Sequence, residues 1–150
     1  MPYPPQGGGG GSLRYQITPS DNVLASADTE RSTTGTDYVK MKEMKVNAFG
    51  KVRTYFELKY TSTGASGSVY ACVGRNGYLV GTERSLWSAT AYPDTYYAFT
   101  EDIDNWMEGD SYQLYAKVSA AGLTAYVRNF RLCGDIKIII SPPVARVDLD

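Results

Sequence analysis

An all-β fold is predicted, an antiparallel β-sandwich of jelly-roll type with about eight or nine strands. Three observations predict it. Apolar residues recur at every second position in run after run. Turn residues punctuate those runs, at Asn76-Gly77, Glu108-Gly109-Asp110, Ala121-Gly122 and Gly134-Asp135. No stretch carries the spacing of an amphipathic helix, and the one helical candidate is a short turn around residues 102–107 that reads equally well as loop.

Taken along the chain, the first weakly patterned stretch is 23–32, read as an early or edge strand. Residues 38–46 follow as a strand with lysines on the outer face. In 51–60 (KVRTYFELKY) the alternation is clean: Val52, Thr54, Phe56 and Leu58 share one side, and Lys51, Arg53, Tyr55, Glu57 and Lys59 the other. Residues 68–75 place Val69, Ala71 and Val73 on one face. Asn76-Gly77 then predicts a type I′ hairpin, because both central residues of that turn need positive φ. It would pair Arg75 with Tyr78 and Val73 with Val80, the return strand being 78–84. Further strands are expected at 95–101, 111–118, 123–132 and 136–140.

The body, residues 13–140, is flanked by two arms. Residues 1–12 are rich in glycine and proline, a composition that loses much backbone entropy on ordering and buries little in return. They lack the charged and apolar regions of a signal peptide. Residues 141–150 begin with Ser141-Pro142-Pro143, which stops the last strand, and end in an alternating segment suited to adding a strand to a neighbour's sheet edge. Tyr3, Pro4 and Pro5 in the first arm, and Val144, Val147 and Leu149 in the second, are the candidate interface residues. Frayed termini are the plainer alternative.

Composition narrows the function. With 43% hydrophobic and 21% charged residues the chain is expected to be globular, and a net charge of −1 leaves no electrostatic footprint for nucleic acid or a membrane surface. No apolar run approaches the roughly 20 residues of a membrane helix. Histidine is absent, which removes His-based triads, Cys–His nucleophiles and the common His-ligated metal sites. No phosphate-binding glycine loop and no Cys-x-x-Cys spacing occur, so no cofactor is expected. Cys72 and Cys133 are expected as buried free thiols rather than a bridge.

Two segments invite sharper readings. Asp102, Asp104 and Asp110, with Asn105 among them, are oxygen ligands of the type calcium takes, although EF-hand spacing is lacking. Paired carboxylates beside Trp106 would also suit glycoside hydrolysis. The competing reading is a solvated connection, with Trp106 plugging one end of the sandwich. Trp87 and Tyr92, in a loop-like stretch after the hairpin, are possible sugar-stacking aromatics, and burial at a loop or subunit contact is the alternative.

The succession of 74–84 (GRNGYLVGTER), 97–103 (YAFTEDI), 109–117 (GDSYQLYAK) and 125–132 (AYVRNFRL) resembles a β-sandwich module of structural proteins in tailed phages and archaeal viruses, of the capsid-decoration or tail and fibre type. The resemblance covers residues 37–135. It implies a non-enzymatic, oligomeric virion component, assembled in the host cytoplasm, whose partners are its own copies and a major capsid or other virion protein. No residue inherits a role from it. Thirteen tyrosines against four phenylalanines fit such a subunit, since tyrosine suits half-exposed sheet faces and interfaces. The expected mechanism is self-association through tyrosine-rich faces into a closed cyclic oligomer, a trimer favoured, with the arms reaching onto neighbours. A carbohydrate- or receptor-binding module and a cellular filament subunit are the alternatives.

Overall fold

The computed structural model describes residues 13–140, and they form ten strands and no helix: β1 (Leu13–Ala27), β2 (Arg31–Thr33), β3 (Val39–Lys45), β4 (Phe49–Ser62), β5 (Ser68–Arg75), β6 (Tyr78–Leu79), β7 (Arg84–Trp87), β8 (Tyr97–Trp106), β9 (Ser111–Val118) and β10 (Leu123–Ile140). The expectations on 1–12 and 141–150, including Tyr3, Pro4, Pro5, Val144, Val147 and Leu149, lie outside the described residues.

Four of the ten strands are halves of two longer ones. β1 and β2 follow one another along β10, and β6 and β7 follow one another along β5. One sheet therefore runs β1/β2, β10, β4, β8 and the other β3, β9, β5, β6/β7. Two four-strand sheets in this order are a jelly roll. Their inner faces meet in one core that includes Phe56, Leu58, Val73, Leu114, Val127 and Phe130. Tyr112 is fully buried there, stacked on Phe130 at 4.2 Å and edge-on to Trp106 at 5.5 Å. Its hydroxyl donates to the Arg131 carbonyl at 2.7 Å, which satisfies the one polar atom the ring brings inside.

Most strand predictions stand, with five corrections. The hairpin has its positive φ values, 52° at Asn76 and 89° at Gly77, and pairs Arg75 with Tyr78. Its return strand stops early, because the Val80 and Gly81 amides both donate to the Val73 carbonyl; the chain rejoins β5 only at Arg84. Trp87 thus lies at the end of a strand. The acidic stretch is neither turn nor loop: β8 continues to Trp106. Asp104 and Asn105 form a bulge opposite Lys51, with Asn105 at φ 69°, which returns Trp106 to the core. Residues 123–132 and 136–140 are one strand, and the early strand begins at Leu13 rather than at residue 23.

That last pair of corrections shares a cause. In the body of the sheet, β10 lies between β4 and β1. Beyond Cys133, Leu13–Thr18 pairs with Asp135–Ile140, while Gln16 and Ile17 pair in parallel with Phe49 and Gly50 of β4. There β1 has taken the place next to β4, and the two strands have exchanged positions. Gly134 permits the crossing: a Cβ on it would stand 2.7 Å from Ile17 Cγ1 and from the Thr18 carbonyl. Gly50 is pressed as closely, since its Cβ would meet the Ile17 carbonyl at 2.4 Å. Residues 19–22 bulge out of the ladder, and Asp135 holds the bulge by accepting hydrogen bonds from Ser20 and Asn22. Gly134-Asp135 is a crossing point and not a turn.

One outer edge of each sheet, β3 and β8, is guarded. β3 carries Lys40, Lys42 and Lys45. Along β8, Arg84 donates to the Thr100 carbonyl, Arg75 to the Asp104 carbonyl, and Thr82 to the Glu101 carboxylate.

Candidate assembly interface

Tyr38, Tyr55, Tyr70, Tyr96 and Tyr126 lie on the outer sheet faces as expected, where they are already engaged, whereas Tyr60 and Tyr112 are in the core and Tyr78 and Tyr92 are exposed. On the β4–β10 face, Lys59 lies over both Tyr96 and Tyr126, Arg128 over Tyr96 at 3.8 Å, and Arg131 over Tyr55. Carboxylates close the lattice. Glu57 accepts from Arg128 at 2.7 Å, from Tyr55 at 2.6 Å and from Asn129 at 3.0 Å, and Tyr96 donates to Glu30. Burial pushes the Glu57 carboxyl upward, yet those three donors hold it below its ordinary range. The same contacts raise the phenols: Glu57 does so for Tyr55, and burial with Glu30 for Tyr96. On the opposite face Lys117 sits over Tyr38 and Tyr70, and Tyr38 donates to Glu83. These faces carry charged networks rather than bare apolar surface.

The bare apolar surface lies on the two-stranded ribbon formed by Leu13–Thr18 and Asp135–Ile140. The register pairs Leu13 with Ile140, Tyr15 with Ile138 and Ile17 with Ile136, so six apolar side chains share one face. The alternate face carries Arg14 with Ile139, Gln16 with Lys137 and Thr18 with Asp135, and it is anchored by Arg14 stacked on Phe49 at 3.9 Å. Ile17 is buried at the base. Leu13, Tyr15, Ile136, Ile138 and Ile140 are exposed, Ile140 by 69%. At the base the apolar face opens into a groove of about 310 Å3 lined by Tyr15, Ile17, Leu24, Ala25, Val46, Ala48, Leu132 and Ile136, with Lys45 and Asn47 also lining it. An isolated two-stranded ribbon is marginal in water. Among the described residues nothing covers the outer two pairs.

The aromatic and acidic candidates do not converge. Trp106 is buried, with Arg75 over its ring and its Nε1 without a partner, so it offers no platform to a sugar. Trp87 (54% exposed) and Tyr92 (73%) flank a turn at the other end of the sandwich, where the Tyr92 amide donates to the Tyr97 hydroxyl and Tyr60 donates to the Ser88 and Ala91 carbonyls. The ten-residue β8, roughly 33 Å long, separates Tyr97 from Trp106. Asp102 is paired with Arg53 at 2.9 Å, which holds its carboxyl below the ordinary range. Asp104 caps the Asn105 amide, and Asp110 accepts from Asn76 and the Met107 amide. No three acidic side chains among the described residues gather as a metal site. Cys72 and Cys133 are free and buried, and burial pushes the Cys72 thiol up to about 11.

Leu13, Tyr15, Leu24, Ile136 and Ile138 are missing from the sequence-based candidates. The alternation in Leu13-Arg-Tyr-Gln-Ile17 is the signal that could have found the first two, but Pro19-Ser20-Asp21-Asn22 reads as a break where the structure has a bulge.

The geometry defines a jelly-roll sandwich with saturated faces and one apolar ribbon. No protein-family model matches the sequence, and no curated protein matches it. Among solved structures it is similar to the xylan-binding CBM22-1 domain of Paenibacillus barcinonensis Xyn10C, with 9% identity over 83% of this chain and 96% of that one, at a TM-score of 0.41. It is also similar to chains in structures of infectious bursal disease virus. The Gx strain gives 15% identity over 84% of this chain and 43% of that one, at 0.40, and the Gt strain 14% over 93% and 45%, at 0.40. The chain spans less than half the length of those viral chains. With overlaps this loose, the jelly-roll assignment rests on the strand pairings of the chain itself.

Proposed function

We propose that this chain is a non-enzymatic structural subunit of a virion, of the capsid-decoration or tail-associated kind, which oligomerises and docks on neighbouring proteins through the segments that flank its sandwich. One observation supports it: the ribbon pairs Leu13 with Ile140, so the chain on either side of the body leaves from a single tip beside an apolar face that no other described residue covers. Docking of the flanks, through Tyr3, Pro4, Pro5, Val144, Val147 and Leu149, must offset about 1–2 kcal/mol of backbone entropy per ordered residue, which demands a groove or sheet edge on a neighbour. Deleting residues 1–12 should leave the thermal unfolding of the free protein almost unchanged while weakening assembly, read as fewer large particles than the full chain gives under negative stain. A truncated chain that assembles as well as the full one sinks the role of that arm.

A second reading has its own observation, the exposed pair Trp87 and Tyr92 on one turn. It makes the chain a carbohydrate- or receptor-binding module. Glycan-array binding lost on Trp87→Ala, with the oligomeric state unchanged, would favour it over the structural reading.

A further inference from the structure

We infer that the apolar ribbon is a two-fold contact between copies of this chain: two ribbons pack apolar face to apolar face, and the tip of each, Leu13 and Ile140, seats in the groove at the base of the other. The inference rests on the reading of the chain as an assembly subunit and names the surface and the partner.

Area is the first argument. The exposed parts of Leu13, Tyr15, Leu24, Ile136, Ile138 and Ile140 amount to roughly 600 Å2, the top of the range for the largest patch on a monomer and most of one side of a standard interface of about 800 Å2. Self-complementarity is the second. The ribbon face carries no charge, since Arg14, Lys137 and Asp135 all lie on its opposite side, and the cation lining the groove, Lys45, donates to Ser111 at 2.9 Å, so two ribbons meet without like charges in opposition. Continuity is the third. Tyr15, Ile17 and Ile136 belong to both the ribbon face and the groove wall, so a partner ribbon laid antiparallel over the face brings its tip to the groove. Both the knob and the hole are therefore present on every copy, which is what an isologous contact requires. Elsewhere among the described residues, the tyrosine faces are tied up by ion pairs and cation–π stacks, β3 and β8 are guarded by lysines and arginines, and the remaining exposed large hydrophobics, such as Val39, Tyr78, Trp87 and Met107, do not share a paired ribbon face.

Sedimentation velocity of the full chain over roughly 1–200 μM tests this, against Ile138→Asp on the apolar face and Lys137→Asp, its neighbour on the other face. The wild type and Lys137→Asp should dimerise alike, and Ile138→Asp should weaken association by about 100-fold or more. Circular dichroism should show the body of Ile138→Asp intact, because Ile138 lies outside the core. A wild type that is monomeric throughout overturns the inference, as does a trimer or larger ring, or equal loss in both variants. A monomeric wild type that dimerises only when Val147 and Leu149 are changed to Asp would mean that the chain's own C-terminal segment covers the face, which also overturns it. Large assemblies built from a protein that is monomeric when free would sink the two-fold contact and leave the subunit reading standing.

Discussion

The β4–β10 outer face and the ribbon share one long strand, β10, yet they end in opposite states. Within the sheet, Tyr55, Glu57, Lys59, Tyr126, Arg128 and Arg131 find partners on adjacent strands, and each phenol or cation is used by another side chain. Past the crossing at Gly134, β10 pairs with β1 alone, no second sheet among the described residues lies beneath the pair, and its inward-type residues face solvent. Residue type alone does not separate the two regions. What separates them is whether a layer lies on the apolar side, and among the described residues the ribbon lacks one.

Three changes would break or sharpen that contrast. The largest effect belongs to Phe130→Ala, which removes the ring stacked on Tyr112 and should cost about 4 kcal/mol in chemical denaturation, taking body and ribbon together. Loss below about 1 kcal/mol would mean the core collapses around the gap. Next is Gly50→Ala, which needs a positive φ of 125° and pushes a methyl against the Ile17 carbonyl. A cost of about 2–3 kcal/mol is expected, with faster amide exchange confined to 13–18 and 135–140. Exchange that rises evenly across the body would show that the ribbon is no separate unit. The smallest is Glu57→Gln, about 1 kcal/mol, since Arg128 is partly exposed and solvent screens the pair. Because the Glu57 carboxyl is held below its unfolded value, its contribution is present above about pH 4.3 and is lost as the pH falls through the lower, folded value. The difference in melting temperature between wild type and Glu57→Gln should therefore close in acid; a gap that stays constant from pH 7 to pH 3 would deny the carboxylate that role.

Local grammar was legible and long-range substitution was not. Val52 to Leu58 could be assigned to the core by alternation, and Asn76-Gly77 to a hairpin by its φ requirement, because both depend on neighbours in sequence. The crossing of β1 and β10 depends on Gly134 and Gly50 lying against Ile17, residues far apart in the chain, and a glycine beside an aspartate looks the same whether it turns or yields space. The acidic run misled for a related reason: its alternation with Ile103 and Trp106 is interrupted by the Asn105 bulge, which hides the strand. Of the candidate interface, Ile136–Ile140 was readable as a strand. Its exposure was not, since that depends on the missing second layer.

The exchange of places between β1 and β10 has a mechanical side. A load that parts Leu13 from Ile140 bears on the last rung of an antiparallel ladder, so the rungs give way one at a time and at low force. That peeling runs only as far as Ile17, where Gly50 and Gly134 clamp the strand between β4 and β10 and where further opening must shear several strands at once. The ribbon can thus yield to a tug from a neighbour without passing it on, and the sandwich behind it stays shut.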